Sequence, residues 1–430
     1  MTSPENLTSA KVTRRLVPFL MLLYVIAWFD RVNVGFAALQ MNRDLGFSAS
    51  VFGFGAGIFF VGYALCEVPS NLVLARVGAR RWIARIMVSW GVVSVAMMFV
   101  RGPASFYVLR FILGVAEAGF LPGVIYYLGQ WYPRAGRARA ISWFMVGIPL
   151  STVLGSPLAG ALLGLNGWHG LTGWQWLYLL EGVPAVLLGI ACYALLPDTP
   201  QEARWLSAAE RTALARALEA ERAATQDRHG VDLRRALAHP IVWLLGLILF
   251  ACQCGSYGLT LWIPQIVKGV SAQSDLIVGF IAALPYVAAA AGMVAIGRSS
   301  DRSGERFWHV ALPSFVGAAG FAASAYLRTP VPGIIALSVA AVGDLGSRGP
   351  FWALPGRFLT GSALAAGIAL INMLGSLGGF VGPYAVGLVK DATGSFTGGL
   401  MLLSGLLLAS AVATLGLRRS TVLAAPAGGG

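Results

Sequence analysis

The sequence predicts an all-α polytopic membrane protein, with twelve transmembrane helices in two six-helix halves. The 430 residues are 57% hydrophobic and 11% charged, where a soluble domain carries about 25% charged residues. The apolar residues gather into twelve runs, each long enough to cross a bilayer as a helix. One long polar segment, 197–239, divides those runs six and six.

Residues 1–15 form a polar N-terminus containing Lys11, Arg14 and Arg15. The first six runs cover 16–38, 51–74, 82–100, 104–128, 140–164 and 174–196, which bounds an N-terminal bundle at 16–196. The last six cover 240–264, 277–297, 308–327, 331–353, 361–388 and 395–417, a C-terminal bundle at 240–417. Segment 197–239 is rich in Ala, Arg and Glu, has helical spacing in its middle and lacks a core of its own. It reads as a linker on the membrane surface. The tail 418–430 turns to Ala, Pro and Gly after Arg419 and is expected to be disordered.

The net charge of +13 raises nucleic acid as a partner, but no basic face with interleaved aromatics lies outside the apolar runs. Loop asymmetry is the simpler cause. Twelve spans put both termini on one side, and 22 Lys and Arg lie on that side against five opposite. Both termini and the central segment are therefore expected to face the cytoplasm. No cleavable signal peptide is apparent after the first run. Cys66, Cys192, Cys252 and Cys254 all lie in apolar segments, so neither a disulfide framework nor a metal site is implied. No cofactor motif or catalytic motif is present. A polar segment of 43 residues is too short for a catalytic domain, so an enzyme is not expected.

The charges inside the apolar runs carry the functional signal. Asp30 and Arg31 lie deep in the first run, with Asn33 three residues on. Charges at membrane depth are costly, face a cavity or a partner, and mark transport or proton pathways. A buried pair that only fixes helix packing is the alternative. Arg110 and Glu117 lie in the fourth run, two helical turns apart on one face and about 10 Å apart along the axis. Two helices that each carry one acid and one Arg suggest a polar cavity. Asp344 and Arg348 in the tenth run are four residues apart and can pair. They are either self-neutralised, or Arg348 contacts substrate while Asp344 holds it. Glu67 reads as a brace for the loop that follows it, and Glu181 as a packing or bracing residue.

The halves echo each other. Ala75-Arg76-Val77-Gly78-Ala79-Arg80 follows the second run, and Asp301-Arg302-Ser303-Gly304-Glu305-Arg306 follows the eighth. Glycine allows the tight turn. A repeat of six spans is how many transporters are built.

With these motifs in place, the chain resembles the major facilitator superfamily over essentially its whole length. Gly297, Asp301, Arg302, Gly304 and Arg306 match that superfamily's loop signature. In the N-terminal copy Asn71 stands for the Gly and Ala75 for the acid. Within the superfamily the chain is similar to the anion:cation symporter family, through Phe29-Asp30-Arg31-Val32-Asn33-Val34-Gly35-Phe36, Glu67-Val68-Pro69-Ser70-Asn71 and Arg110 to Gly119. Gly173 to Gly182 and Gly367 to Asn372 look most like tartrate-type permeases.

The resemblance implies import of a small organic anion with protons, by a monomer in the bacterial cytoplasmic (inner) membrane. It implies that Asp30 and Glu117 carry protons, that Arg31 meets the substrate carboxylate, and that Arg110 pairs with Glu117. Tyr63, Trp352 and Asn372 would line the substrate site, and Arg76, Gly78, Arg80, Asp301, Arg302, Gly304 and Arg306 would form gating loops. Asp344 and Arg348 depart from the tartrate-type pattern. A tartrate-like hydroxy-dicarboxylate or sugar acid is the expected substrate. An aromatic carboxylate is the alternative, and a drug/proton antiporter is the more distant one.

Overall fold

The computed structural model describes residues 4–145, 147–223, 237–327, 329–359 and 361–424. Its helices run in order α1 Pro4–Asp44, α2 Ala49–Val77, α3 Ala79–Ala96, α4 Pro103–Glu117, α5 Phe120–Gly129, α6 Arg134–Met145, α7 Gly147–Leu163, α8 Gly173–Leu195 and α9 Ala208–Ala223. They continue with α10 Pro240–Ser271, α11 Asp275–Ser303, α12 Phe307–Tyr326, α13 Pro330–Gly346, α14 Arg348–Trp352, α15 Pro355–Phe358, α16 Gly361–Thr393 and α17 Thr397–Ala424. Eleven helical segments among the described residues are long and apolar enough to cross a membrane. The run 308–327 folds as the 20-residue α12, about 30 Å long. The polar N-terminus is helical from Pro4, and α17 continues past Arg419 to Ala424. The rest of the expected tail, 425–430, and the central residues 224–236 lie outside the described residues.

The chain divides into two compact units. One holds residues 1–33, 62–155 and 165–229; the other holds 34–61, 156–164 and 230–430. In the first, α3 packs along α8 through small residues. A Cβ on Gly91 would lie 2.9 Å from the Gly182 carbonyl, and one on Gly189 would lie 2.9 Å from the Val88 amide. Close backbone approach of this kind is how helices gain contact where lipid tails supply no hydrophobic drive.

In the second unit the first-turn amides of α2 find an acceptor on another helix. Asp391 accepts from the Ala49 N–H at 2.9 Å and the Ser50 N–H at 2.8 Å. These donors have no partner within their own helix, and the anion suits the positive end of the dipole. Gln40 donates to the Leu163 carbonyl at 3.1 Å and to Asp275 at 2.9 Å, and Lys268 donates to the same carboxylate at 2.8 Å.

The described part of the central segment is fastened to the first unit. Tyr127 donates to the Pro197 carbonyl at 2.7 Å, Trp205 stacks on Trp131 with centroids 5.8 Å apart, and Lys11 pairs with Glu210 at 2.7 Å. Ser207 and Glu210 form a reciprocal cap on α9. The bonds from Lys11 and from the Ser207 N–H hold the Glu210 carboxyl down at about 2. That depression makes the contact present above the usual Glu range and lost as pH falls toward 2. Accordingly, Lys11→Ala should speed hydrogen exchange across α9 at pH 7, and the difference from wild type should vanish by about pH 2.

Candidate functional site

Two buried polar clusters, one in each unit, hold most of the charged side chains within the spans. In the first unit, Arg31 and Glu117 are joined directly. Arg31 Nε donates to Glu117 Oε1 at 2.6 Å, with 13% of the Arg31 side chain and 2% of the Glu117 side chain exposed. The guanidinium also lies 5.4 Å from the Trp28 ring centroid and 5.1 Å from that of Tyr63. Aromatic faces attract a guanidinium and hold its plane. Tyr63 is itself buried, so the structure places it against Arg31.

Backbone geometry explains the position of Glu117. The fourth apolar run is not one helix. It breaks after Glu117, with Gly119 left-handed at φ 88° and α5 starting at Phe120. Ser70 on α2 donates to the Ala118 carbonyl at 2.6 Å and fills the space beside Gly119. Only Gly takes that φ at no cost, so the break fixes Glu117 as the last residue of α4.

Asp30 is buried and turned to a different neighbour. It accepts from Ser94 Oγ on α3 at 2.6 Å and from Asn33 Nδ2 at 3.0 Å. Arg110 is buried and acts on Glu117 and Asp30 through space. Glu117 is bonded directly by Arg31, and Arg110, the partner that the resemblance implied, acts on it as well. Ser94 gave no signal in the sequence, because a lone Ser in an apolar run is unremarkable.

In the second unit Arg348 donates to Asp344 Oδ1 at 3.2 Å, and the two side chains are as enclosed as those of the first pair. Ser256 on α10 completes the cluster. It donates to Asp344 Oδ2 and accepts from Arg348 Nη2 at 2.6 Å. The helix is interrupted here too, since α13 ends at Gly346 and α14 starts at Arg348. Nearby Trp352 is exposed and meets Phe351 edge-on, while Asn372 is half-buried and accepts from Ser376 through its carbonyl at 2.9 Å.

The two basic loops differ in one informative way. In the C-terminal copy Arg306 pairs with Asp301 at 2.7 Å, and Arg357 donates to the Gly304 carbonyl at 2.6 Å. Arg302 is exposed. The N-terminal copy has Ala75 where that acid stands, yet its loop also has a carboxylate. Asp198, just past α8, accepts from the Arg80 N–H at 2.9 Å and pairs with the Arg80 side chain at 3.3 Å; Glu202 adds a contact at 3.8 Å. Asp198 therefore braces this loop. Arg76 is exposed. Gly78 has φ 97°, and a Cβ there would lie 3.3 Å from the Asp198 carboxylate. Gly78→Ala should therefore destabilise the protein by about 1–3 kcal/mol, read as a lower Tm by tryptophan fluorescence in detergent.

Comparison with known proteins agrees with this architecture. The Major Facilitator Superfamily pattern matches residues 20–383. A protein of Agrobacterium vitis named "Putative tartrate transporter" is 53% identical over 96% of this chain and 91% of its own length. A "Quinolone resistance transporter" of Acinetobacter baumannii is 44% identical over 94% of this chain and 93% of its own length. The crystal structure of a bacterial homolog of the human lysosomal transporter Spinster, inward-facing and occupied, superposes with a TM-score of 0.78 at 17% identity. It covers 95% of this chain and 97% of that one, a likeness of fold. By the family match over most of its length, this chain belongs to the Major Facilitator Superfamily and is a multi-pass membrane transporter rather than an enzyme.

Proposed function

We propose that the chain imports a small organic anion together with protons, by alternating access across the bacterial inner membrane, with both termini in the cytoplasm. A tartrate-like hydroxy-dicarboxylate or a sugar acid is the substrate class. The observation that carries this reading is the buried Arg31–Glu117 pair. A substrate carboxylate that takes the Arg31 fork leaves Glu117 without its directly bonded cation. An unpaired buried carboxylate is costly, so Glu117 takes up a proton. Anion and proton are thereby bound together, which is the requirement of symport. Asp30, the second buried acid of the cluster, is the other proton carrier. Tyr63 sets the plane of Arg31, and Arg110 adds positive charge near Glu117. Arg348, positioned by Asp344, offers a guanidinium for a carboxylate or hydroxyl of the substrate, and Trp352 and Asn372 are further substrate-binding residues. Arg76, Gly78, Arg80, Asp301, Arg302, Gly304 and Arg306 act as gating loops. The protein works as a monomer.

A second reading has its own support. The relative named for quinolone resistance and the aromatic rings flanking Arg31 both suit an aromatic carboxylate. Reconstituted vesicles separate the two. Labelled tartrate should accumulate when the lumen is made alkaline, and excess unlabelled tartrate should block it far better than an equal concentration of hydroxyphenylacetate. The reverse order of competition would replace the first reading with the second.

A further inference from the structure

Glu181 sits on α8 immediately before Gly182, the residue that brings α8 onto α3. That register turns its carboxylate into the bundle, where the residue is 3% exposed. It feels the Asp30 charge through space there and lies beside the Asn33 amide. Among the described residues, three buried acceptor oxygens in this cluster have no hydrogen-bond partner: Asp30 Oδ2, Asn33 Oδ1 and Glu181 Oε2. Ser94 Oγ and one N–H of Asn33 Nδ2 donate to Asp30 Oδ1, and Trp90 Nε1 and the Tyr178 hydroxyl are buried beside them. With Arg31 bonded to Glu117, the two buried acids Asp30 and Glu181 face one cation, Arg110; a second uncompensated buried charge is costly, and one proton on either acid removes it.

We propose that Glu181 shares an exchangeable proton with Asp30, Asn33 standing beside both carboxyls. This rests on the proton-coupled reading and adds a third acid to it. In the transfer, the O–H bond on one carboxyl breaks as an O–H bond forms on the other, and the pair keeps one negative charge throughout. The groups that face the dyad are Asn33 from α1, Ser94 and Trp90 from α3, Arg110 and Glu117 from α4 and Tyr178 from α8 itself. Arg110 is the cation among them, and its charge balances the one negative charge that the dyad keeps. A bracing acid would hold a cation or an amide with both oxygens, whereas Glu181 Oε2 holds neither.

The test uses Glu181→Gln and Glu181→Asp in proteoliposomes with labelled tartrate, in two assays. Counterflow without a gradient reads substrate exchange. Uptake driven by a one-unit pH gradient reads coupling, and each coupled proton supports about tenfold accumulation. Glu181→Gln should stay within about twofold of wild type in counterflow while losing about tenfold in driven accumulation. Glu181→Asp should keep driven uptake with a shifted pH profile. Wild-type accumulation and pH profile in Glu181→Gln would overturn the proposal, because glutamine keeps the packing and cannot carry the proton. Equal losses in both assays, or failure of both variants to fold, would also overturn it by assigning Glu181 to packing. A wild-type protein that exchanges tartrate but ignores the gradient would reject proton coupling itself, a result distinct from any of these.

Discussion

Arg31→Ala should abolish driven uptake and cost about 3–5 kcal/mol of stability, because it strands the Glu117 carboxylate in a buried site without its cation. The direct 2.6 Å bond and the near-complete enclosure of Glu117 place this pair in that range rather than among surface ion pairs worth less than about 1 kcal/mol. A second substitution separates the two losses. Arg31→Ala combined with Glu117→Gln removes the stranded charge, so most of the Tm should return while uptake stays absent. Arg31→Lys should fold well but bind tartrate about tenfold more weakly or worse. A point charge loses both the two-pronged contact and the stacking between Trp28 and Tyr63. Tryptophan-fluorescence melting and labelled-tartrate uptake are the two measurements. An Arg31→Ala protein that binds the anion tightly would remove Arg31 from the substrate site.

The Asp344–Arg348–Ser256 cluster leads to the second large effect. Asp344→Ala leaves Arg348 buried with Ser256 as its remaining partner, and Arg348→Ala leaves Asp344 in the same position. Each single change should lower folded yield by an amount corresponding to about 3–5 kcal/mol. The double change removes both charges and should recover expression. If Arg348 holds a second carboxylate, the recovered protein should bind a dicarboxylate more than tenfold more weakly, with a monocarboxylate of similar size affected less. Equal losses for both anions would leave Arg348 as a structural partner of Asp344. Isothermal titration of the purified double variant with tartrate and with threonate, a four-carbon monocarboxylate, gives the comparison.

The intramembrane charges were legible in the sequence because each interrupts an apolar run where charge is expensive. Their pairing was less so. Asp30 and Arg31 are chain neighbours, yet successive residues on a helix point about 100° apart. Asp30 therefore reaches Ser94 on α3, and Arg31 reaches Glu117 on α4. Arg110 and Glu117 share a face two turns apart, and the spacing did not show that Arg31 from another helix would bond Glu117 directly. Asp344 and Arg348 were legible as a pair because four residues is one turn. Ser256, which ties them to α10, was not, since a serine is ordinary in any span. The break after Glu117 was hidden as well. Ala118 and Gly119 read as one more small-residue stretch, and the left-handed turn depends on Ser70 from another helix. The missing acid of the first basic loop could not be found by local pattern at all, because Asp198 arrives from beyond the sixth run.

That displaced acid bears on how the molecule can be taken apart and rebuilt. A two-fragment version, in which the halves are expressed as separate chains and reassemble in the bilayer, would ordinarily be cut where the sixth span ends. Such a cut would assign Asp198, Trp205 and Glu210 to the wrong piece. The first fragment would lose the counter-charge of its own basic turn, the ring stacked on Trp131 and the partner of Lys11. A junction beyond Ala223 keeps all three with the helices they fasten. The same reasoning sets where a fluorescent or affinity insertion can be placed between the halves, and it makes the stretch from Pro197 to Ala223 a working part of the first fragment.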